Sequence, residues 1–225
     1  MPASLVELFR EVLLIVGALF PIVNPLGNAP IFLILTPEFS SGMRNVLARK
    51  IAINGFVLLL GSVLIGTHIL AFFGISLPVV QVGGGLVVIA TAWSLLTGHP
   101  SEGDANASAA PPNASDLESL AFYPLTLPLT VGPGSISVAI TVGANRPEGA
   151  QAHWWIWAAV LIGPALIAIS IFLSYRFAET IARVLGQTAM NVVIRLSSFI
   201  LLCIGVQILW NGASALLRTA LVPGQ

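Results

Sequence analysis

The chain has 225 residues, of which 56% are hydrophobic and 8% are charged, and its nine acidic side chains balance its nine basic ones. A charged fraction about a third of that of globular domains indicates a membrane protein. The zero net charge argues against a nucleic-acid partner. The single cysteine, Cys203, excludes a disulfide within the chain and leaves no material for a cysteine-based metal or redox motif.

Five long stretches of the chain contain no charged residue: 12–37, 51–101, 119–145, 149–175 and 196–217. About 20 apolar residues cross the hydrocarbon core of a bilayer as a helix. Four of the stretches therefore hold one span each, and the longest holds two, divided by a turn at 73–78. The predicted spans are 12–36, 51–73, 78–98, 119–143, 153–175 and 196–217.

The first span follows Glu7, Arg10 and Glu11 and contains Asn24 and Asn28. A secretory signal peptide instead needs a basic leader and a short apolar region that ends in small residues. We therefore expect this span to be retained.

The first and fourth spans carry matching proline motifs. Each has the form Pro-x-x-x-Pro followed closely by glycine, and 103 residues separate Pro21 from Pro124 and Pro25 from Pro128. Proline removes a backbone donor and glycine weakens a helix, so an unwound segment is expected in each span. Lipid cannot satisfy the freed backbone groups, so such segments persist only against protein or a watery cavity. A plain kink is the alternative for either motif alone, but a matched pair is typical of a transporter binding site.

A small, polar, proline-rich linker at 99–118 separates two halves, 1–98 and 119–225. The end of the first half, 81–98, also matches 195–212 with an offset of 114 residues. Because each half has three spans, the two copies must enter the membrane from opposite sides. The predicted fold is an all-α polytopic membrane protein, with six transmembrane helices forming two inverted three-helix repeats. Helices 1 and 4 are predicted to be discontinuous, and chance similarity between apolar segments is the alternative to a repeat.

The predicted binding site combines the unwound parts of spans one and four. A half-helix that begins inside the membrane directs unpaired N–H groups and a positive dipole end at a carboxylate. Freed carbonyl groups suit an ammonium group or Na⁺, so both together suit a zwitterion. The candidate substrate-binding residues are Asn24, Pro25, Gly27 and Asn28 in span one and Thr130, Gly132, Pro133, Gly134 and Ser135 in span four.

The predicted spans contain no Asp or Glu, so a proton relay has few candidates. His68 in span two is one, although a structural hydrogen bond is the better interpretation. Arg195 either extends to the interface or faces Gln81 of the other half. Gln207 and Asn211, one helical turn apart, either hold helices together or line a path.

The sequence gives weaker indications of the orientation in the membrane and of enzyme activity. Five basic residues follow spans one and five and three lie on the opposite face, which puts both termini outside the cell. Membrane enzymes need a Ser–His pair, two aspartates or a metal site, and no spacing here supports one, so we expect no enzyme and no cofactor.

Four blocks in order resemble the MarC family of bacterial and archaeal inner-membrane proteins. They are 24–27 (Asn-Pro-Leu-Gly), 73–76 with the glycines 83–85, 121–125 with Pro128 and 132–134, and 205–207 with 211–212. The family belongs to a broader group of lysine-exporter-like transporters. The resemblance implies transport of small neutral amino acids such as glycine and alanine, a substrate site at 24–28 and 130–135, and periplasmic termini.

Residues and resemblance together predict a secondary transporter of small neutral amino acids in the inner membrane, working by alternating access. The coupling ion is expected to be Na⁺ or H⁺, and the partners are the substrate, membrane lipid and, as an open question, further copies of the chain. The alternative is an exporter of another small solute or of drugs.

Overall fold

A computed structural model describes residues 3–97, 114–145 and 154–221, and within these ranges the chain is helical and contains no strand. Residues 99–113 of the predicted linker lie outside the described residues, and 114–118 begin a helix. The elements are α1 (Ala3–Val23), α2 (Pro25–Leu35), α3 (Ser41–Phe72), α4 (Leu77–Thr97), α5 (Ala114–Leu120), a π-helical segment (Ala121–Thr130), α6 (Pro133–Ala144), α7 (Trp154–Arg176) and α8 (Ala178–Leu221).

Four helical stretches are long and apolar enough to cross a bilayer: Ser41–Phe72, Leu77–Thr97, Trp154–Arg176 and Thr188–Thr219. A fifth span results if Leu117–Thr130 and Pro133–Ala144, which meet at 70°, count as one broken span. The first predicted span is divided between α1, which carries the three charges near its beginning, and the 11-residue α2. The membrane-helix class is therefore confirmed, whereas the count of six stays a prediction.

The turn predicted at 73–78 lies between α3 and α4 as expected. Gly74 has φ 66°, a left-handed conformation that glycine adopts without steric cost. A second left-handed glycine, Gly186 with φ 70°, interrupts α8 just before its apolar part. Each glycine lies just before a long apolar helical stretch.

The first break consists of a single residue. Asn24 has φ 46° and ψ 56°, and it separates α1 from α2, which begins at Pro25. Asparagine tolerates this left-handed conformation better than most residues, and proline suits the first helical position because its missing N–H would be unpaired there anyway. Pro21 and Pro30 lie inside α1 and α2 without ending them. The predicted discontinuity of helix 1 thus lies at Asn24.

The second break is longer and differs in construction. Tyr123 and Leu127 have extended backbone within the π-helical segment, and each directly precedes a proline, which disfavours the helical conformation. The next helix, α6, begins at Pro133. The half-helices α2 and α6 therefore begin 108 residues apart. The 103-residue offset that relates Pro25 to Pro128 does not relate the first residues of these two helices.

The helices pack as a main bundle with a helix pair beside it. In the main bundle α3 contacts α6, α7 and the π-helical segment, and α1 packs on α7. Its core includes Leu19, Phe32, Leu59, Leu125 and Ile167, all fully buried. The longest interface joins α4 to α8, around a small cluster that contains Val88, Ala92 and Leu201.

Glycines in the triplet at 83–85 allow α4 to approach its neighbours closely. A methyl group at Gly85 would lie 2.6 Å from the backbone nitrogen of Leu209 in α8, and one at Gly84 would lie 2.6 Å from Cβ of Ser137 in α6. Gly83 differs from both, because a methyl group there has nothing within 4 Å. Two of the three glycines therefore serve packing within the chain.

We expect Gly85→Ala to weaken the α4–α8 interface, because the backbone of Leu209 cannot move aside as a flexible side chain would. Overpacking of this kind costs about 1–3 kcal/mol. Gly83→Ala is the matched control and should stabilise α4 by up to about 1 kcal/mol through helix propensity. Thermal unfolding in detergent measures both, and equal midpoints for the two variants would contradict this account of the interface.

Candidate functional site

Asn28 joins the two breaks. Its Nδ2 donates to the carbonyl oxygen of Val23 at 2.9 Å and to that of Leu129 at 3.0 Å. Val23 is the last residue of α1, and Leu129 lies near the end of the π-helical segment, 101 residues further along the chain. Asn28 is only 6% exposed. One buried amide thus satisfies a carbonyl at each break and brings the predicted halves of the site together.

The amino terminus of α2 is capped by its own sequence. The Asn24 side chain accepts a hydrogen bond from the backbone N–H of Gly27 at 3.2 Å, and the Asn24 carbonyl accepts from Asn28 N at 3.0 Å. A methyl group at Gly27 would lie 2.7 Å from Asn24 Oδ1, so a larger residue would displace this cap. Pro25 is buried and has no N–H. The first turn of α2 therefore offers few free donors to a ligand.

The amino terminus of α6 lacks such a cap. Gly132 precedes it with extended backbone and provides no side chain to accept from the first turn. Gly134 and Ser135 are buried, and Ser135 Oγ donates to the Gly132 carbonyl at 2.9 Å. Pro133 is exposed. The unpaired N–H groups and positive dipole end that suit an anion therefore lie at α6 rather than at α2.

Thr130 belongs to a buried hydroxyl pair that the sequence did not predict. Its Oγ1 donates to the Leu125 carbonyl at 2.6 Å and lies 2.7 Å from the Tyr175 hydroxyl of α7. Because the threonine has a single hydroxyl hydrogen, Tyr175 donates to Thr130. The Tyr175 ring also stacks on Phe32 of α2, with centroids 4.7 Å apart and planes 8° from parallel. Tyr175 therefore links α2, α7 and the π-helical segment.

The only sequence signal for Tyr175 was a tyrosine at the end of an uncharged stretch. That placement is ordinary for a tyrosine at a membrane interface. The structure instead buries the side chain to 1% exposure.

Most of the predicted coupling or path residues lie away from the breaks. Gln81 of α4 bonds within the bundle, where its Nε2 donates to Thr141 Oγ1 of α6 at 3.3 Å rather than facing Arg195. Side chains on the outside of the bundle are His68, Arg195, Gln207 and Asn211. In the described ranges no three His, Cys, Asp or Glu side chains come together in a group that could hold a metal ion.

Two ion pairs lie near the beginning of α3, and one of them joins the two halves of the chain. Arg44 pairs with Glu179 and also donates from Nε to the Thr36 carbonyl at 3.0 Å, at the carboxyl terminus of α2. Lys50 pairs with Glu118 at 2.8 Å. The hydrogen bond from Arg44 holds the pKa of Glu179 below its usual range. The carboxylate therefore stays ionised at neutral pH, and the pair is lost only when the pH falls through that lowered pKa.

The family model of the MarC family integral membrane proteins matches residues 9–217. The chain belongs to the MarC family. It is similar to the inner membrane protein MarC of Citrobacter koseri, at 30% identity over 96% of this chain and 99% of the relative. It is also similar to membrane protein YvbG of Bacillus subtilis, at 31% identity over 87% of this chain and 90% of the relative.

No solved structure matches the chain. The family match and the apolar helices make this MarC family member an integral inner membrane protein.

We expect Asn28→Leu to destabilise the protein, because the carbonyls of Val23 and Leu129 lose their donor in a buried site. Each unsatisfied carbonyl costs about 1–3 kcal/mol. Asn54→Leu in α3 is the matched control, since the Asn54 side chain makes no hydrogen bond among the described residues. The midpoint of thermal unfolding in detergent measures the difference, and equal midpoints would show that Asn28 does not hold the breaks together.

Proposed function

We propose that this MarC family protein is a secondary transporter of small neutral amino acids, of which glycine and alanine are the first to test. The observation that carries the proposal is the Asn28 amide, which joins two discontinuous helices at a buried point. Irregular backbone inside a membrane is otherwise costly, and in transporters it forms the substrate site. The resemblance of the sequence blocks to the MarC family supplies the substrate class.

The chemistry of the two breaks supports a zwitterionic substrate. The uncapped amino terminus of α6 at Gly134 and Ser135 suits the carboxylate. Carbonyl groups near the Asn24 and Leu127 breaks suit the ammonium group. The glycines at 27 and 134 leave no room for a side chain of their own, because Asn24 and Val88 occupy that space. A site bounded so closely favours a substrate with a small side chain.

Two observations support the proposed inverted repeat of six spans. The first observation is that contacts between the halves occur in equivalent pairs. If α2 is equivalent to α6, α3 to α7 and α4 to α8, then the α3–α6 contact is equivalent to α2–α7, and the α4–α6 contact is equivalent to α2–α8. Val88 and Leu202, which the 114-residue offset relates, meet in the same small hydrophobic cluster. Equivalent residues meet in this way on a pseudo-two-fold axis. Both termini would then lie outside the cell.

Alternating access would follow from rocking of one half against the other. Arg44 and Glu179 belong to different halves and lie at the end that the excess of basic residues assigns to the cytoplasm. Their pairing would hold the cytoplasmic side closed, together with Lys50 and Glu118. Coupling to Na⁺ or H⁺ would use backbone and hydroxyl oxygens near the breaks, since His68 lies on the outside.

Purified protein in proteoliposomes should accumulate radiolabelled glycine and alanine when a Na⁺ or pH gradient is imposed. Gly132→Leu should abolish accumulation, because its side chain would begin 3.0 Å from the Pro128 carbonyl at the amino terminus of α6. Gly83→Leu, at an open position, is the control and should transport normally. Folded protein that accumulates neither amino acid under any gradient would exclude this substrate class and favour the export of another solute.

Loss of the Arg44–Glu179 pair should expose the cytoplasmic end. In a Cys203→Ser background, Thr36→Cys places a thiol at a site that is 1% exposed and directly beneath Arg44. Adding Glu179→Gln should accelerate its reaction with a water-soluble maleimide several-fold, because Arg44 loses its partner in the other half. Glu38→Gln, at an exposed glutamate, is the control, and an unchanged rate in Glu179→Gln would contradict a closing role for the pair.

A further inference from the structure

Two amide side chains lie on the outer surface of the long apolar part of α8. Gln207 and Asn211 are both exposed. Gln207 stands twelve residues after Arg195 and eleven before Arg218, so about 17 Å of helix separates it from the charge at either end. Hydrocarbon offers no hydrogen bonds at that depth. This position therefore needs a polar partner.

The amides satisfy each other only in part. Gln207 Nε2 donates to Asn211 Oδ1 at 2.8 Å. Among the described residues nothing else bonds to the remaining groups, the carbonyl oxygen of Gln207 and the NH₂ of Asn211. One strong acceptor and one strong donor thus point away from the chain.

The amides belong to a continuous exposed face of α8, which we call the amide stripe. Its residues recur every three or four positions: Leu196, Phe199, Ile200, Cys203, Val206, Gln207, Trp210 and Asn211. The opposite face of α8 packs on α4, where Gly205 contacts Ile89 and Gly212 contacts Val82. The stripe is therefore turned away from the rest of the chain.

We propose that the amide stripe is the contact surface between two copies of this protein in the membrane. Copies inserted in one direction are related by a two-fold axis along the membrane normal, so their α8 helices run parallel and equal depths meet. Gln207 and Asn211 of one copy then face the same amides of the other. An amide carries both donor and acceptor, so the pairs are self-complementary and hold the helices as polar side chains do in membranes.

The native cysteine tests the arrangement directly. Cys203 is exposed, lies on the stripe one turn before Gln207, and is the only cysteine. Air oxidation catalysed by copper phenanthroline in native membranes should join two copies through Cys203 and give a dimer on a non-reducing gel. The control is Cys203→Ser with Val57→Cys, which places the thiol on an exposed part of α3 and should give at least tenfold less dimer.

Removal of the amides tests the bond that holds the copies together. Gln207→Leu with Asn211→Leu keeps the helix apolar and foldable, and it should reduce Cys203 cross-linking at least fivefold. Undiminished cross-linking would overturn the role of the amides. Cross-linking no greater than in the Val57→Cys control would overturn the dimer, and rapid labelling of Cys203 by a membrane-impermeant maleimide would then show that the stripe lines a watery path.

Discussion

The structure depends on one constraint, that backbone groups freed inside a membrane must be satisfied by the protein itself. Prolines at both breaks interrupt the helical hydrogen bonds, and the amide of Asn28 satisfies a carbonyl at each break. The hydroxyls of Thr126 and Thr130 do the same locally, each donating at 2.6 Å to the carbonyl five residues earlier. The broken helices therefore persist because a few polar side chains replace the bonds that proline removed.

The two breaks differ in how the helix that follows each of them is capped. Asn24 caps α2 with its own side chain, which occupies the backbone N–H of Gly27, whereas α6 begins after Gly132 with no cap. The same sequence type, proline after a short polar or glycine residue, thus gives one sealed and one open helix terminus. In the proposed transporter the open terminus carries the affinity for a carboxylate, and the sealed one positions Asn28 beside it.

The sequence predicted the helical membrane class and the location of both breaks, because proline and glycine act through local backbone chemistry. It could not predict which side chains face inward. A membrane helix is apolar on every side, so it lacks the periodicity that indicates the buried face of a soluble helix. For that reason the sequence did not distinguish His68 and Gln207, which lie on the outside of the bundle, from Asn28, which is buried. The Tyr175–Thr130 and Arg44–Glu179 contacts join residues 45 and 135 positions apart and depend on tertiary packing alone.

The double role of Asn28 indicates how binding and movement would be linked in the proposed cycle. Its bond to Val23 lies within the first half, whereas its bond to Leu129 crosses to the second. Separation of the halves would break only the second bond and would leave a buried N–H without an acceptor. A carboxylate is a stronger acceptor than a backbone carbonyl. A bound amino acid can therefore replace Leu129 as the acceptor, so the halves would separate at lower cost when the substrate is present than when the site is empty.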